Sequence, residues 1–365
     1  MHDSRSRFVQ WTDCLLDSSR RPGEQRAAAH EWCQWALKAL GIDERRAETE
    51  QEAFSRTTRL PNGQAISPLE AVRCLRDYQR AAVFLRATDA AIRAARGRFP
   101  GETIHVLEAG CGPLAPLALA AAVRYPAAEV SFTLLDLHGE SLEGARRLAG
   151  ELGVLASLRA PVAADAGTVQ FSEPERPHVI VCEMLQRALT MEPQVAVTRH
   201  LVTQLRPGGF FLPERIDIVA GLVHRRRRRQ RMMGITGGDG ADPIEELGCV
   251  FSLDAATAAS LTVRPDGRLA ATNVTIPVHD HEAAPLRLLT RIQVFRDHRI
   301  GDFDSAITLP EQVRYPLDLA EAGGVASFTY EMSENPGLRL ESIHPNERQG
   351  TGIARNSAPL PASGA

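Results

Sequence analysis

Two carboxylates, Glu183 and Glu192, stand nine residues apart directly after the β-branched run Val179-Ile180-Val181-Cys182. An apolar run of that kind reads as a buried strand, and a carboxylate at its end is costly unless something meets it. A strand that ends in one acid, followed by a short loop that ends in another, forms a pincer for a cationic or amine substrate. Well upstream, Gly110-Cys111-Gly112 follows the short apolar run Ile104-His105-Val106-Leu107. Glycines there let the chain turn tightly and bring backbone close to a ligand. The dinucleotide version of the turn needs a third glycine near position 115, where Ala115 stands behind Pro113 and Leu114. The turn therefore suits a nucleoside without a pyrophosphate better than NAD. Asp136, at the end of the next strand, can accept two hydrogen bonds from a ribose diol. Asp165, in a loop after a third strand, is placed to meet an adenine amino group. Together these residues point to group transfer onto an acceptor held over a nucleoside cofactor.

The elements that must position them can be read from periodicity. Residues 103–218 alternate apolar strands with helical patterns: Ile104–Leu107, a helix to Val123, Val130–Leu137, a helix over Glu140–Leu152, Val179–Cys182, a helix over Val195–Leu205, then Phe210–Leu212. Near-continuous apolar strands separated by helices require a parallel sheet covered on both faces. Upstream, Ser67-Pro68-Leu69-Glu70 is a helix start, with Ser67 as cap, Pro68 at the first helical position and Glu70 reaching back. Leu69, Val72, Leu75, Ala82 and Leu85 continue that helix to about residue 97. Asp77 and Arg80 share one of its faces, free to pair with each other or with a ligand. Residues 1–60 read as helical and hold every tryptophan, Trp11, Trp32 and Trp35; these must pack on the main domain, on a second subunit, or as a lid over the site. Past Pro213 the chain becomes short, β-rich segments separated by Gly, Asp, Asn and Pro, which predicts an antiparallel sandwich or barrel-like unit. The division expected is a helical extension over 1–66, a cofactor-binding Rossmann-like domain over 67–213, a β-rich barrel-like domain over 214–345 and a flexible tail over 346–365.

Composition narrows the function classes. At 365 residues with a net charge of -3, the chain gives no reason to expect nucleic acid or an anionic membrane as its main partner. The run Arg225–Arg229 is a local exception, read as a solvated face. The six cysteines lack CxxC spacing, so buried thiols are expected rather than disulfides or a metal centre. The charged N-terminus lacks a signal-peptide pattern and the apolar runs are too short to span a bilayer, so a cytoplasmic protein is expected.

The order Leu107-Glu108-Ala109-Gly110-Cys111-Gly112, Asp136, Glu183 and Leu205-Arg206-Pro207-Gly208-Gly209 resembles the class I S-adenosylmethionine-dependent methyltransferases. More narrowly it resembles the protein arginine methyltransferases. Asp77-Tyr78-Gln79-Arg80 matches their Asp-x-x-Arg element, Glu183 and Glu192 their glutamate pair, and Arg206-Pro207-Gly208-Gly209 with Pro213-Glu214 their Lys-Pro-Gly-Gly turn and the Pro-Asp or Pro-Glu that follows it. The resemblance covers about 70–220 well and the rest in outline. It implies a Rossmann-like methyltransferase sheet with N-terminal helices and a β-rich C-terminal domain, S-adenosyl-L-methionine as cofactor, and a homodimer. It implies that Arg80 binds the cofactor carboxylate, that Glu108, Gly110 and Gly112 line its site, that Asp136 holds its ribose, and that the glutamates clamp a guanidinium.

Ile307-Thr308-Leu309-Pro310-Glu311-Gln312 replaces the family's Thr-His-Trp element, and Arg187 falls between the two acids, where it is expected to place a positive charge inside the clamp. The reading that follows is methyl transfer to a small amino-acid-like or guanidino metabolite, with Glu183 and Glu192 orienting the acceptor and the Tyr78 hydroxyl near the sulfonium. The alternatives are cyclisation of the cofactor to azetidine-2-carboxylate with release of methylthioadenosine, protein arginine methylation, and non-catalytic cofactor binding.

Overall fold

The computed structural model describes residues 2–44, 52–233, 242–315 and 317–345; the expected flexible tail lies outside these. Its centre is a parallel sheet of β3 (Ile104–Ala109), β4 (Val130–Asp136), β5 (Val162–Ala163), β6 (Val179–Cys182) and β7 (Phe210–Leu212), in the order β5-β4-β3-β6-β7. Two further strands precede it in the chain, β1 (Thr58–Leu60) and β2 (Gly63–Ala65), which form a separate antiparallel hairpin.

Alternation within the parallel strands builds two cores. Ile104, Val106, Phe132, Leu134 and Val181 face the larger one, beneath the helices Tyr78–Arg98, Pro116–Ala122 and Gly139–Leu152. Leu107, Ala109, Leu135, Ile180 and Cys182 face the other, with Val197 and Leu201 of the helix Gln194–Leu201. A sheet buried on both sides needs no polar face, which is why these strands read as unbroken apolar runs.

The helices His2–Leu16 and Pro22–Leu40 pack on the Tyr78–Arg98 and Gly139–Leu152 helices. Their tryptophans form an aromatic knot: Phe8 and Trp32 meet edge to face with centroids 4.8 Å apart, Trp11 lies beside Trp35, and the Trp11 indole N–H donates to Glu31. The tryptophans thus pack helices together.

The single helix predicted from Ser67 to about 97 is two helices, Pro68–Cys74 and Tyr78–Arg98. Ser67 caps the first as expected, accepting from the Glu70 N–H. Asp77 starts the second by accepting from the Arg80 N–H, and that new cap breaks the run.

After β7 the chain enters two antiparallel sheets. One orders β13 (His298–Ile300), β12 (Leu286–Phe295), β8 (Arg215–Val223) and β9 (Ile244–Asp254), with β14 (Glu311–Gln312) beside β12. The other holds β10 (Arg268–Ala270), β15 (Gly324–Glu331), β11 (Val274–Ile276) and β16 (Gly337–Pro345). Phe251 of β9 stacks on Tyr330 of β15 at 5.0 Å between centroids, joining the sheets across their shared core. Leu261-Thr262-Val263, one of the short β-rich segments past Pro213, is reduced to one bridge between Val263 and Leu269. The fold is therefore α/β, with N-terminal helices, a Rossmann-like parallel sheet and a β-rich C-terminal region. Among the described residues no helix is long and apolar enough to cross a membrane.

Candidate active site at the carboxyl ends of the parallel strands

One cavity, about 1240 Å³ and partly open to solvent, lies over the carboxyl ends of β3, β4 and β6. Ligands bind there in open parallel sheets because the strand ends and the following turns leave a crevice. Its wall includes Arg80, Glu108, Gly110, Gly112, Asp136, Asp165, Glu183 and Glu192. Sequence-distant residues are therefore brought to one surface.

The glycine turn shapes the floor. Gly110 and Gly112 have φ of +72° and +58°, and a Cβ on Gly110 would lie 2.5 Å from Met184 Cγ. Only a residue without a side chain fits that conformation and that approach. The third position of the turn, Ala115, is also left-handed, at φ +36°, before Pro116 begins a helix.

Asp136 braces this turn from β4. One carboxylate oxygen accepts from the Gly112 N–H at 2.8 Å and the other from the His138 N–H at 2.9 Å. An ionised carboxylate offers about four acceptor positions, so both oxygens keep room for a diol. Asp165 accepts from the Gly167 N–H at 2.7 Å, which fixes its loop at the cavity edge.

Glu108 has a different surrounding from the other acids. Its carboxylate accepts from the N–H groups of Ala118 at 2.7 Å and Leu117 at 3.4 Å, at the N-terminus of the Pro116–Ala122 helix. Burial pushes its pKa up to about 8 against the pull of those donors. Glu108 thus lines the cavity mainly as a brace for the helix start.

The charged centre is the trio Arg80, Glu183 and Glu192. Arg80 pairs with one oxygen of Glu183, while Glu183 Oε1 is buried with no hydrogen-bond partner. Burial works against the Arg80 charge, but the Glu183 carboxylate outweighs it and keeps Arg80 protonated. Burial raises the Glu183 pKa, with Arg80 opposing. Glu192 is only 5 % exposed, and burial followed by the Glu183 charge pushes its pKa up to about 8. Two buried acids and one cation meet here, and a cationic ligand would counter the burial that holds Glu192 in its protonated form.

Arg187 is not that cation. Its guanidinium turns outward to Glu311 of β14 and is absent from the cavity wall, which overturns the expectation of a cation inside the clamp. The partner is 124 residues away in sequence, so the position between the two acids did not reveal the direction of the side chain. Asp77 is likewise committed elsewhere. Beyond capping Arg80, its second oxygen accepts from Ser305 Oγ and the Ala306 N–H.

Tyr78 stands outside the wall, contrary to its expected place near the sulfonium. It opens the Tyr78–Arg98 helix, and the Arg26 guanidinium lies 5.3 Å from its ring centroid. Tyr78→Phe is accordingly expected to change turnover by less than about twofold, since a change away from the site leaves the barrier intact; steady-state kinetics check this.

Several residues that sequence reasoning passed over hold the site together. Gln194, fully buried, accepts from the Met184 N–H at 3.0 Å and donates to the Cys182 carbonyl, fixing the exit from β6. The loop between the acids has positive φ at Ala188, Leu189 and Met191. Two contacts from the β-rich region pin it: the Ala188 N–H donates to Thr290 Oγ1 at 2.7 Å, and Tyr330 donates its hydroxyl proton to the Leu189 carbonyl at 2.8 Å.

The β1–β2 hairpin roofs the cavity with Leu60, Gln64 and Ala65. The Gln64 N–H donates to the Met191 carbonyl at 2.8 Å, and Thr58 Oγ1 meets His138 Nε2 at 3.0 Å. The roof is therefore this hairpin, rather than the tryptophan-bearing helices. At Gly63, φ is +141° and a Cβ would lie 2.8 Å from the Met191 carbonyl oxygen. Gly63→Ala is expected to lift the hairpin off the glutamate loop, costing about 1–3 kcal/mol as overpacking does. Thermal denaturation and cofactor titration measure both effects.

No protein-family model matches the chain, and no curated protein matches it. Among solved structures, it is similar to one described as the Trypanosoma brucei PRMT1 enzyme-prozyme heterotetrameric complex with AdoHcy, at 14% identity and TM-score 0.42, over 74% of this chain and 94% of that one. It is also similar to a crystal structure of PRMT6-SAH, at 10% identity and TM-score 0.48, over 76% of this chain and 100% of that one. The likeness is one of fold.

Proposed function

We propose that the protein is an S-adenosylmethionine-dependent methyltransferase whose acceptor is a guanidinium nitrogen, carried by a polypeptide arginine or a free guanidino metabolite. One observation carries this reading: Glu183 and Glu192 share the wall of a cavity with the glycine turn and Asp136, one buried Glu183 oxygen lacks a partner, and Arg187 is paired outside. A buried carboxylate oxygen without a donor is a place for a ligand to donate. A guanidinium carries five N–H donors, which would meet that oxygen, and a positive charge, which would favour the ionised form of both glutamates.

The residues fit the cofactor as well. Arg80 would hold its carboxylate, Gly110 and Gly112 would admit its backbone-close portion, and Asp136 would take the two ribose hydroxyls beside the Gly112 and His138 N–H bonds. Asp165 lies at the far edge, where it would meet the adenine. When bound, the cofactor supplies an electrophilic methyl on a positively charged sulfur.

The chain's own work is then positioning and proton handling. Glu183 and Glu192 orient the acceptor so that one nitrogen lone pair points along the transfer axis, and such alignment supplies most of the effect in a displacement of this kind. Methylation of a guanidinium nitrogen releases one proton. Glu192, pushed up to about 8 in the empty site, would take it once the cationic acceptor has drawn the group to its ionised form, and then release it to solvent. The β1–β2 hairpin would cover the transfer on the side of Leu60, Gln64 and Ala65.

The test is product analysis. Labelled S-adenosylmethionine is supplied alone, with agmatine, and with an arginine-containing peptide, and products are identified by mass spectrometry. S-adenosylhomocysteine with a methylated guanidine in either acceptor arm supports the reading and names the acceptor size. Methylthioadenosine from the cofactor alone, or no product in any arm, would overturn it.

A further inference from the structure

A second concavity lies in the β-rich region, away from the cavity of Glu183 and Glu192. It is lined by Arg225, Arg228 and Arg229 of the helix Arg225–Met232, by Arg287 of β12, and by Val223, Pro285 and Met233, and it encloses about 1010 Å³ of largely open space. Positions 225, 228 and 229 are spaced by three and four residues, so one helical face presents three guanidiniums. Arg287 comes from the facing strand, which makes four cations around an apolar floor.

Nothing among the described residues neutralises them. No ion pair is made by Arg225, Arg228, Arg229 or Arg287, and no carboxylate lines the concavity. The Arg228 guanidinium lies 4.9 Å from the Phe303 ring centroid, which holds it in place without removing its charge. Burial lowers the Arg287 pKa, and repulsion from Arg225 and Arg228 lowers it further, while Glu311, whose charge opposes this, is already bound to Arg187. Like charges gathered on a concave surface are unfavourable unless an anion completes them.

The surroundings decide what kind of anion. The whole chain carries 45 acids against 42 basic residues, and the segments adjoining the concavity are acidic. Asp280 and Glu282 precede Ala283, whose carbonyl accepts from the Arg225 N–H, and Asp242 and Glu245 flank Pro243, whose carbonyl accepts from the His224 N–H. A long polyanion such as nucleic acid would leave the four arginines and run onto these carboxylates. A compact one would not.

We infer that Arg225, Arg228, Arg229 and Arg287 form a binding site for a small ligand bearing several phosphate groups, with an apolar portion resting on Val223, Pro285 and Met233. Guanidinium forks match phosphate oxygens two at a time, and an arrangement from two elements favours a ligand with more than one phosphate. The site also lies close to the acceptor loop. Arg287 of β12 stands opposite Gln312 of β14 in the sheet, and Gln312 is the neighbour of the Glu311 that holds Arg187. The binding itself does not depend on the methyl-transfer reading.

The experiment is calorimetric titration of the full chain with inorganic tripolyphosphate at fixed ionic strength, against the double variant Arg228→Gln/Arg287→Gln and the control Arg215→Gln/Arg264→Gln. The control removes two arginines that are paired elsewhere, with Asp217 and Glu341. Saturable binding that weakens at least about tenfold in the first variant and less than about twofold in the control supports the site. Equal weakening in both, or no binding by the native chain, overturns it, because general attraction to surface charge would then be the whole effect. A glutamate hexapeptide that binds the native chain more tightly than tripolyphosphate and is lost in the first variant also overturns it, in favour of an acidic polypeptide. Circular dichroism of the variants establishes folding, and Arg229→Gln alone, on the exposed rim, repeats the test should the double variant unfold.

Discussion

Glu183→Gln is expected to lower kcat/KM for the guanidino acceptor by about 10²–10³-fold, the usual loss when a preorganised charge at a reacting centre is removed. The same substitution has a second effect that a surface acid would not produce. Arg80 is buried and its ion-pair partner is Glu183. Breaking a buried pair from one side leaves the other charge uncompensated and costs about 3–5 kcal/mol. Glu183→Gln should therefore unfold at markedly lower denaturant, and part of that loss should return when the cofactor, with its own carboxylate for Arg80, is added in excess. Urea denaturation with and without S-adenosylhomocysteine reads the effect directly. Unchanged stability would mean that Arg80 has another anion to turn to.

Glu192→Gln is expected to lose turnover by a comparable factor and yet to gain stability. Its pKa is raised from 4.5 to about 8 by burial and by the Glu183 charge. In the unfolded chain the group gives up its proton near 4.5; in the folded chain it holds that proton until about 8. The folded state thus binds more protons between those values, so stability is full below the lower one and falls as pH rises through the upper one. Glutamine is neutral at every pH and escapes that loss. At pH 8 the variant should be more stable by about 1–3 kcal/mol, allowing for relaxation around a buried charge, while the two proteins converge near pH 5. Two acids that share one job would then differ in sign when each is neutralised. Melting curves over that pH range distinguish this from a purely local change in shape.

How far the sequence leads depends on the range of the interaction that places each residue. The parallel sheet was readable because each strand is an apolar run and each following turn has its own punctuation, Gly110 and Gly112 after β3 and Asp136 at the end of β4. Glu183 was readable for the same reason, since a carboxylate ending Val179–Cys182 needs a partner whatever lies around it. The direction of Arg187 was not, because it is set by Glu311 on a strand far along the chain. Asp77 is similar: its spacing from Arg80 predicted a shared helical face, but the tie to Ser305 depends on how the β-rich region docks. Tyr78 lies away from its expected place because the helix capped by Asp77 sets its ring against Arg26 rather than the cavity. The roof is not legible, since Pro61-Asn62-Gly63 signals only a turn, and the close approach of Gly63 to Met191 exists only in three dimensions. Cys249, expected to be buried with the other thiols, is exposed on β9, a residue of an edge strand that composition alone could not orient.

The left-handed residues of the glutamate loop have a consequence for how the protein can vary. Ala188, Leu189 and Met191 each adopt a conformation that costs a non-glycine residue about 1 kcal/mol or more, and Thr290 and Tyr330 hold the first two in place. The shape of the acceptor end is thus written in the C-terminal half, while the glycine turn, Asp136 and Arg80 belong to the N-terminal half. If the proposed function holds, substitutions on β12 and β15 are expected to change which acceptor is taken without altering how the cofactor is held. The two halves cannot be separated in the folded chain, but under selection they are free to drift apart.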